Sequence, residues 1–261
     1  MFEPTVRDGV CRLARPGTRW LSTGHDGGPS FAPAAYNCTV PEGWDRTDLD
    51  AYVAERLRRA GFDADAAGPA LLTGVDQRHA RRARLGPVEA VATAGVSNPA
   101  ALPVEGAVNP EAGRLDGETS VAADARPETV PDADAGPDHP GPNHAGTVNV
   151  VVGTTRSLAS GALANLLAVA AEAKAATLLA VAGVPGTTTD AVVAACDPAG
   201  DPADFSGSAT EVGAAARACV RDAVRASLDS RYADGPPAPA EAPSGVVTDA
   251  RARVAPLSPD D

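Results

Sequence analysis

The sequence predicts an α+β fold, in which a mixed β-sheet is covered by long α-helices. Several apolar, β-branched segments follow one another with no helical segment between them, whereas others are joined by long stretches of helical periodicity. The length of 261 residues is ample for one large domain with a sizeable core. We therefore expect a single domain over residues 1–232 and a disordered tail, rich in proline, alanine and acids, over 233–261.

The first half of the chain is expected to contain one helix and four strands. The helix covers residues 47–62, with Thr47 or Asp48 as its N-cap and Gly61 as its stop. A basic run separates the last two strands. The strands are predicted at 19–24, 35–40, 70–75 and 88–96.

The second half is expected to contain two strands and two long helices. A β-branched run over 146–153 precedes a helix over 158–183. A strand over 187–196 then leads to a helix over 209–230. Apolar residues recur at helical spacing in this last helix, at Val212, Ala216, Val220 and Val224.

Residues 101–145, between the two halves, are predicted to form an acidic mobile insertion. This stretch has nine acidic residues against two arginines, many prolines and no aromatic residue. Such a composition cannot bury enough apolar surface to offset the entropy lost on ordering.

The charge balance limits the possible partners. The chain carries 34 acidic and 22 basic residues, for a net charge of −12. Nucleic acids and anionic membrane surfaces both require a basic surface, so neither partner is expected. Abundant acids with arginine in place of lysine are typical of extreme halophiles, although a GC-rich genome also favours arginine and alanine. We expect a small-molecule partner and a possible oligomer.

A cytoplasmic location is also predicted. The N-terminus has no apolar core of signal-peptide length, and Glu172 and Lys174 interrupt the longest apolar stretch.

Neither the cysteines nor the paired histidines predict a metal site. The four cysteines are widely scattered and form no CxxC pair, which argues against structural zinc and a disulfide framework. The segment DHPGPNH has two loosely spaced histidines inside the acidic insertion. We predict no bound metal and no cofactor.

Lys174 is the only lysine in the chain. At about 100° per residue it falls on the apolar face of the helix over 158–183, roughly opposite Glu172. An ammonium group on this face must extend to the solvent at the edge of the core, pair with an acidic side chain or take part in catalysis. Lysine offers a compact head and a pKa that the surroundings can shift, which arginine does not. Its retention makes a chemical role as plausible as a structural one.

Polar side chains end several predicted strands. GTVN over 146–149 contributes Thr147 and Asn149, and ATAGVSNP over 92–99 contributes Asn98. Such groups can hold a carboxamide or an oxyanion, although ordinary turns use the same residues.

A hydroxyl-rich segment, GTTTDAVV over 186–193, places Thr188, Thr189 and Asp190 before a buried strand. A threonine nucleophile needs a base, and Asp190 or Lys174 could serve, although a capping role for Asp190 is equally plausible. In the glycine-rich segment STGHDGG, His25 is a candidate substrate contact and proton donor.

The order of these segments resembles the adenosylcobinamide amidohydrolase family of corrinoid salvage enzymes, in its haloarchaeal form. Glu172-Ala173-Lys174 and Thr189-Asp190 are the most family-like elements, and Asn37 lies in another matching piece. The matching pieces are RWLSTG, YNCTVP, ALLTGV, AVATAGVSNP, GTVNVVV, SLASGALANLLAVAAEAKAATLL, GTTTDAVVAA and SGSATEVGAAARACVRDAV.

The resemblance implies hydrolysis of the amide that joins aminopropanol to the corrin ring, with release of adenosylcobyric acid for cobalamin biosynthesis. Cobalt would then belong to the substrate and would not be a cofactor. A corrinoid-binding protein without activity and an amidase for another small molecule remain alternatives. Two departures stand out: Pro185 occupies a position where threonine is expected, and the acidic insertion is long.

Chemistry alone suggests roles within this site. Glu172 or Asp190 would activate water or a threonine hydroxyl, and donors near Asn98 and Asn149 would hold the oxyanion. Lys174 would orient an acid or protonate the leaving amine. Because Glu172 and Lys174 diverge on the helix, Lys174 with Asp190 is the preferred pair.

Overall fold

The computed structural model describes residues 1–41, 43–44, 46–65, 68–104 and 146–256. Within these ranges the chain forms, in order, β1 (Glu3–Arg7), β2 (Val10–Ser22), β3 (Gly28–Thr39), α1 (Leu49–Arg59), β4 (Ala70–Thr73), β5 (Arg81–Leu85), β6 (Val88–Ala94), β7 (Ala100–Ala101), β8 (Val148–Thr154), β9 (Ser157–Leu158), α2 (Ser160–Ala182), β10 (Ala191–Cys196), β11 (Pro202–Ala203), α3 (Glu211–Arg231) and β12 (Val246–Val247).

The main sheet has eight strands and is mixed, as predicted. Its order is β4-β3-β2-β10-β8-β6-β5, and β1 pairs with the first part of β2. The β3–β4 and β8–β10 pairs are parallel, and the other pairs in this sheet are antiparallel. Two parallel strands, β8 and β10, therefore begin side by side at the centre of the sheet.

The sheet curls over one of its own faces. Asn37 on β3 donates to Thr93 on β6 at 2.9 Å, although three strands separate β3 from β6 in the sheet order. Phe2 stacks on Trp20 within this concave face, with ring centroids 5.5 Å apart. Apolar side chains from six strands fill the remainder of the concave face, which gives the sheet a core of its own.

The convex face is covered by the helices. α2 and α3 pack on β6, β8 and β10, whose alternate residues provide an apolar surface, and α1 covers β2 and β3. Asp48 caps α1 by accepting from Ala51 N at 3.1 Å, and Gly61, at φ +73°, follows its end, as predicted. Thr210 caps α3 in the same way.

Two strands are much longer than predicted. β2 and β3 extend well before the segments 19–24 and 35–40 that the sequence indicates. Prolines and glycines concealed them, because these residues normally interrupt strands. The β2–β3 register shifts between Ala14 and Thr18, and Gly17 in that irregularity has φ +74°.

The strand predicted over 187–196 is shorter in the structure, where β10 begins at Ala191. Residues 187–190 form a turn instead. The side chain of Asp190 accepts hydrogen bonds from Thr187, which closes this turn locally.

Nearly all of the predicted acidic insertion, residues 105–145, lies outside the described residues. The predicted tail contains two short elements between 233 and 256: a 3-10 turn at Pro239–Glu241 and strand β12. Strand β12 pairs in parallel with β7, which immediately precedes the insertion.

α2 is long and apolar enough to cross a membrane by length and composition alone, despite Glu172 and Lys174. In this fold the helix packs one face on the sheet and on α3, as a core helix does. Six residues of this helix are predicted to share a buried face: Leu163, Ala170, Lys174 and Leu178 are buried, whereas Leu167 and Val181 are only partly buried.

This packing predicts the cost of truncating the helix core. Leu166 in α2 is fully buried, so Leu166→Ala should lower the free energy of unfolding by about 2–5 kcal/mol. Leu179 on the same helix is 54% exposed, and Leu179→Ala should change it by less than about 0.5 kcal/mol. Urea unfolding at fixed salt measures both. Equal effects would contradict the assignment of the buried face.

Candidate active site

A cleft of about 330 Å³ opens beside the first residues of β8 and β10. Thr147, Thr189 and Asp190 form its polar side, and β4 with the segment after β3 forms the opposite, largely apolar side. His25, in the turn after β2, also borders the cleft. The volume is at the small end of the range for small-molecule sites.

Behind this polar side, Lys174 pairs with Asp190. Lys174 Nζ donates to Asp190 Oδ2, and each side chain is only 10% exposed. The helix α2 thus brings its lysine to the turn before β10, as the preferred pairing predicted. Asp190 borders the cleft, whereas Lys174 lies behind it.

Asp190 accepts four hydrogen bonds from residues that the structure describes. Oδ2 accepts from Lys174 Nζ and from Thr187 N at 3.0 Å. Oδ1 accepts from Val148 N at 2.8 Å and from the Thr187 hydroxyl. An ionised carboxylate has about four acceptor positions, and here all are occupied. The carboxylate therefore joins α2, β8 and the turn before β10, and has no free position to take a proton from water.

Gly186 permits the close approach of this ion pair. A Cβ atom built at Gly186 would lie 2.7 Å from Asp190 Oδ2 and 3.2 Å from Lys174 Nζ. Any side chain at this position would displace one partner or the other. The glycine that begins the hydroxyl-rich segment is thus required by packing.

Two threonine hydroxyls meet at the edge of the cleft. Thr147 Oγ1 and Thr189 Oγ1 are 2.8 Å apart, and both residues border the cleft. Thr147 is buried, whereas Thr189 is exposed. The structure thus brings together two of the predicted site residues, and Thr189 is the one that solvent can reach.

Asn37 and Asn149 form a buried polar cluster and do not border the cleft. Asn149 Nδ2 donates to Asn37 Oδ1 at 3.0 Å and to Leu72 O at 2.9 Å. Leu72 itself borders the cleft. Asn149 Oδ1 is buried without a hydrogen-bond partner within the described part of the chain. These amides hold the cleft wall from behind.

Asn98 and Thr188 pair with each other at the side of the site. Asn98 Nδ2 donates to Thr188 Oγ1 at 2.6 Å, and Thr188 N donates to Asn98 O at 3.2 Å. Neither residue borders the cleft. Their contact joins residues 97–101 to the turn that contains Asp190.

His25 has a carboxylate partner that the sequence did not indicate. His25 Nε2 lies 2.9 Å from Asp50 Oδ1, in the first turn of α1. An imidazole with one nitrogen held by a carboxylate is the usual arrangement of a proton-transfer group. The pair is exposed to solvent, and His25 is its member that borders the cleft.

Glu172 is not part of this constellation. It lies on the exposed face of α2, with its side chain 64% exposed, and pairs with Arg217 of α3 at 3.4 Å. The divergence of Glu172 and Lys174 expected from the helical wheel is therefore present.

The sequence patterns did not predict the apolar wall of the cleft. Val40, Trp44, Leu49 and Leu71 border the cleft, and Trp44 packs against Tyr52 with ring centroids 5.0 Å apart. These residues come from a loop, a helix start and β4, so no single segment carries the pattern. Trp44 was the available signal, as a tryptophan in a polar, glycine-containing segment.

The cysteines provide no nucleophile. All four are unpaired by disulfides and buried. Burial raises the pKa of the Cys11 thiol to about 11 and that of Cys38 to about 12. Buried thiols are inert as nucleophiles, and none of the four cysteines borders the cleft.

A mixed sheet whose reactive groups cluster at the start of two parallel strands, beside a cleft of this size, defines an α+β enzyme that acts on a small molecule. The model of the adenosylcobinamide amidohydrolase family matches residues 3–236. An adenosylcobinamide amidohydrolase from Halobacterium salinarum is 55% identical over 254 residues, which cover 97% of this chain and 99% of the relative. The chain belongs to the adenosylcobinamide amidohydrolase family. The resemblance seen in the sequence and the halophilic composition are thereby confirmed.

The close approach at Gly186 generates a prediction. Gly186→Ala should lower the free energy of unfolding by about 1–3 kcal/mol, because the new methyl group forces the ion pair apart. Gly161→Ala in α2 is the matched control, since nothing lies within 4 Å of its Cβ position. That variant should be neutral or slightly stabilising. Urea unfolding compares them, and a neutral Gly186→Ala would show that the contact yields without cost.

Proposed function

We propose that the protein hydrolyses the amide joining aminopropanol to the corrin ring of adenosylcobinamide and releases adenosylcobyric acid. One observation carries the proposal: the 55% identity, over nearly all of both chains, to a relative named adenosylcobinamide amidohydrolase. The family match over residues 3–236 supports the same reaction class. The reaction serves cobinamide salvage in cobalamin biosynthesis.

The size of the cleft suggests how the substrate binds. A corrin ring with its amide side chains is larger than a cavity of about 330 Å³. The aminopropanol arm and its amide therefore enter the cleft, and the ring stays at the rim. Trp44 and Leu49 provide apolar surface on that side.

The reaction requires one water molecule. Its oxygen bonds to the amide carbon, the C–N bond breaks, and the leaving amine takes a proton. In the proposed mechanism His25 accepts the proton from water and returns it to the amine, while Asp50 orients the ring. The Thr189 hydroxyl, accepting from Thr147, donates to the substrate carbonyl as its oxygen gains negative charge.

Lys174 and Asp190 act in this proposal as positioning residues. Asp190 cannot take a proton from water without losing one of its four donors. Its carboxylate instead fixes the turn that presents Thr189, and Lys174 holds the carboxylate in place. Asn37, Asn149, Asn98 and Thr188 support the walls of the cleft from behind and from the side.

Several expectations from the sequence belong to the same proposal. The enzyme works in the cytoplasm on a corrinoid substrate, without a nucleic-acid or membrane partner, and an oligomer is possible. The protein uses no cofactor, and cobalt enters as part of the substrate.

The direct test is product release. Incubation with adenosylcobinamide should yield free aminopropanol and adenosylcobyric acid, detected by mass spectrometry. Lys174→Met and Asp190→Asn should each lower kcat by about a hundredfold, because displacing the site by 1 Å has an effect of this order. Lys174→Arg keeps the charge but enlarges the head group, and its kcat should also be lower than that of the wild type.

A matched control and three contrary outcomes make this test decisive. Arg225→Lys performs the reverse exchange at an exposed ion pair and should leave kcat unchanged. Binding without product release by the wild type would favour a corrinoid-binding protein, and release from other amides but not this one would favour a different amidase. Wild-type kcat in both Lys174→Met and Asp190→Asn would refute the positioning role.

The proposed proton transfer has its own test. His25→Ala should lower kcat by about a hundredfold or more with little change in KM, and added imidazole should restore part of the rate. His79→Ala is the matched control, since His79 contacts Ser230 of α3 and lies outside the cleft. Unchanged kcat in His25→Ala would exclude His25 as the proton-transfer group.

A further inference from the structure

We infer that residues 245–248, the C-terminal strap, hold residues 186–190, the Asp190 turn, in position. They do so through residues 97–101, the intermediate loop. The inference rests on the proposed function, because it assigns a catalytic consequence to this contact. The family match ends at residue 236, so the strap lies beyond the segment that the family model covers. Three consecutive layers of hydrogen bonds carry the argument, two between backbone groups and one to the Asp190 side chain.

The first layer joins the strap to the intermediate loop. Val246 N donates to Pro99 O, and Thr248 N donates to Ala101 O, both at 2.9 Å. Gly245 allows the approach, because a Cβ atom at this residue would lie 2.6 Å from Pro99 O. The strap thus forms a short parallel pair with the loop.

The second layer joins the intermediate loop to the Asp190 turn. Ala100 N donates to Gly186 O at 2.9 Å, and Thr188 N donates to Asn98 O at 3.2 Å. The side chains of Asn98 and Thr188 add a further hydrogen bond on the same side. The loop therefore lies between the strap and the turn and is bonded to both.

The third layer joins the turn to the ion pair. Thr187 donates to Asp190 through both its backbone N–H and its hydroxyl. Gly186, whose carbonyl accepts from the intermediate loop, is also the residue against which the Lys174–Asp190 ion pair packs. A shift of the intermediate loop therefore moves Gly186 and Thr188, and with them Thr187, which is hydrogen-bonded to the Asp190 carboxylate.

The strap is held by its backbone more than by burial. Val246 and Val247 are 51% and 63% exposed, so their side chains contribute little apolar burial. Backbone bonds at the edge of a structure open more readily than those in a core. Residues 97–101 are bonded on both sides only while the strap is in place. The consequence is that the strap limits the motion of the turn that presents Thr189.

Proline substitutions in the full-length chain test this inference. Val246→Pro and Thr248→Pro each remove one of the two N–H donors. Val247→Pro is the matched control, because hydrogen bonding alternates along a strand and the N–H of Val247 faces away from the loop. We expect the first two variants to lower kcat about tenfold with KM within about twofold, since the turn is displaced and not removed.

Amide hydrogen exchange provides a second readout that does not need activity. In Val246→Pro and Thr248→Pro, exchange should accelerate in peptides covering 97–101 and 186–190, while α1 stays as protected as in the wild type. Val247→Pro should match the wild type in both measurements. A merely stabilising tail would not lower kcat selectively while α1 remains protected.

The outcomes separate the two proposals. If exchange accelerates but kcat does not fall, the strap does not position the site. If exchange is unchanged, the strap is not seated on the loop in solution, and the inference fails. A wild type that releases no aminopropanol refutes the proposed function, and the exchange result still decides whether the strap holds the turn.

Discussion

The candidate site depends on the charge balance around one carboxylate. Asp190 is nearly buried, and a buried charge is stable only when it is paired and its lone pairs are satisfied. Lys174 supplies the charge, and Thr187 and Val148 supply the remaining donors. Because these donors come from a helix, a turn and a central strand, satisfying the carboxylate also determines where the three elements meet. The Thr147–Thr189 hydroxyl pair beside it follows from that arrangement.

Local patterns in the sequence predicted much of this arrangement. Helical periodicity placed Lys174 on the buried face of α2 and Glu172 on the exposed face, and the structure confirms both. Capping chemistry located the ends of α1 because an aspartate and a glycine act within a few residues of the boundary. The mixed sheet followed from the order of strands and helices. Such patterns reflect interactions between residues that are close together in the sequence.

Long-range geometry was not predictable in the same way. The curl of the sheet brings β3 and β6 into side-chain contact, and no pattern within either strand encodes it. The partnership of His25 with Asp50 and the apolar wall at Trp44 were hidden for the same reason, because their residues come from separate segments of the sequence. The strap was missed for a different reason. It lies in a tail whose proline-rich composition predicts disorder, yet the strap needs only two backbone donors and a glycine to pair with the loop.

Salt acts differently on the buried Lys174–Asp190 pair and on the exposed ion pairs. In concentrated salt the Debye length falls to about 3 Å, so exposed arginine–carboxylate pairs contribute little attraction. The Lys174–Asp190 pair is excluded from solvent, and its attraction persists because screening ions cannot surround it. At the surface, arginine and lysine are therefore nearly interchangeable, and composition decides between them. Beside Gly186 they differ, because Lys174 Nζ would lie only 3.2 Å from a Cβ at that glycine, and a planar guanidinium is larger than an ammonium.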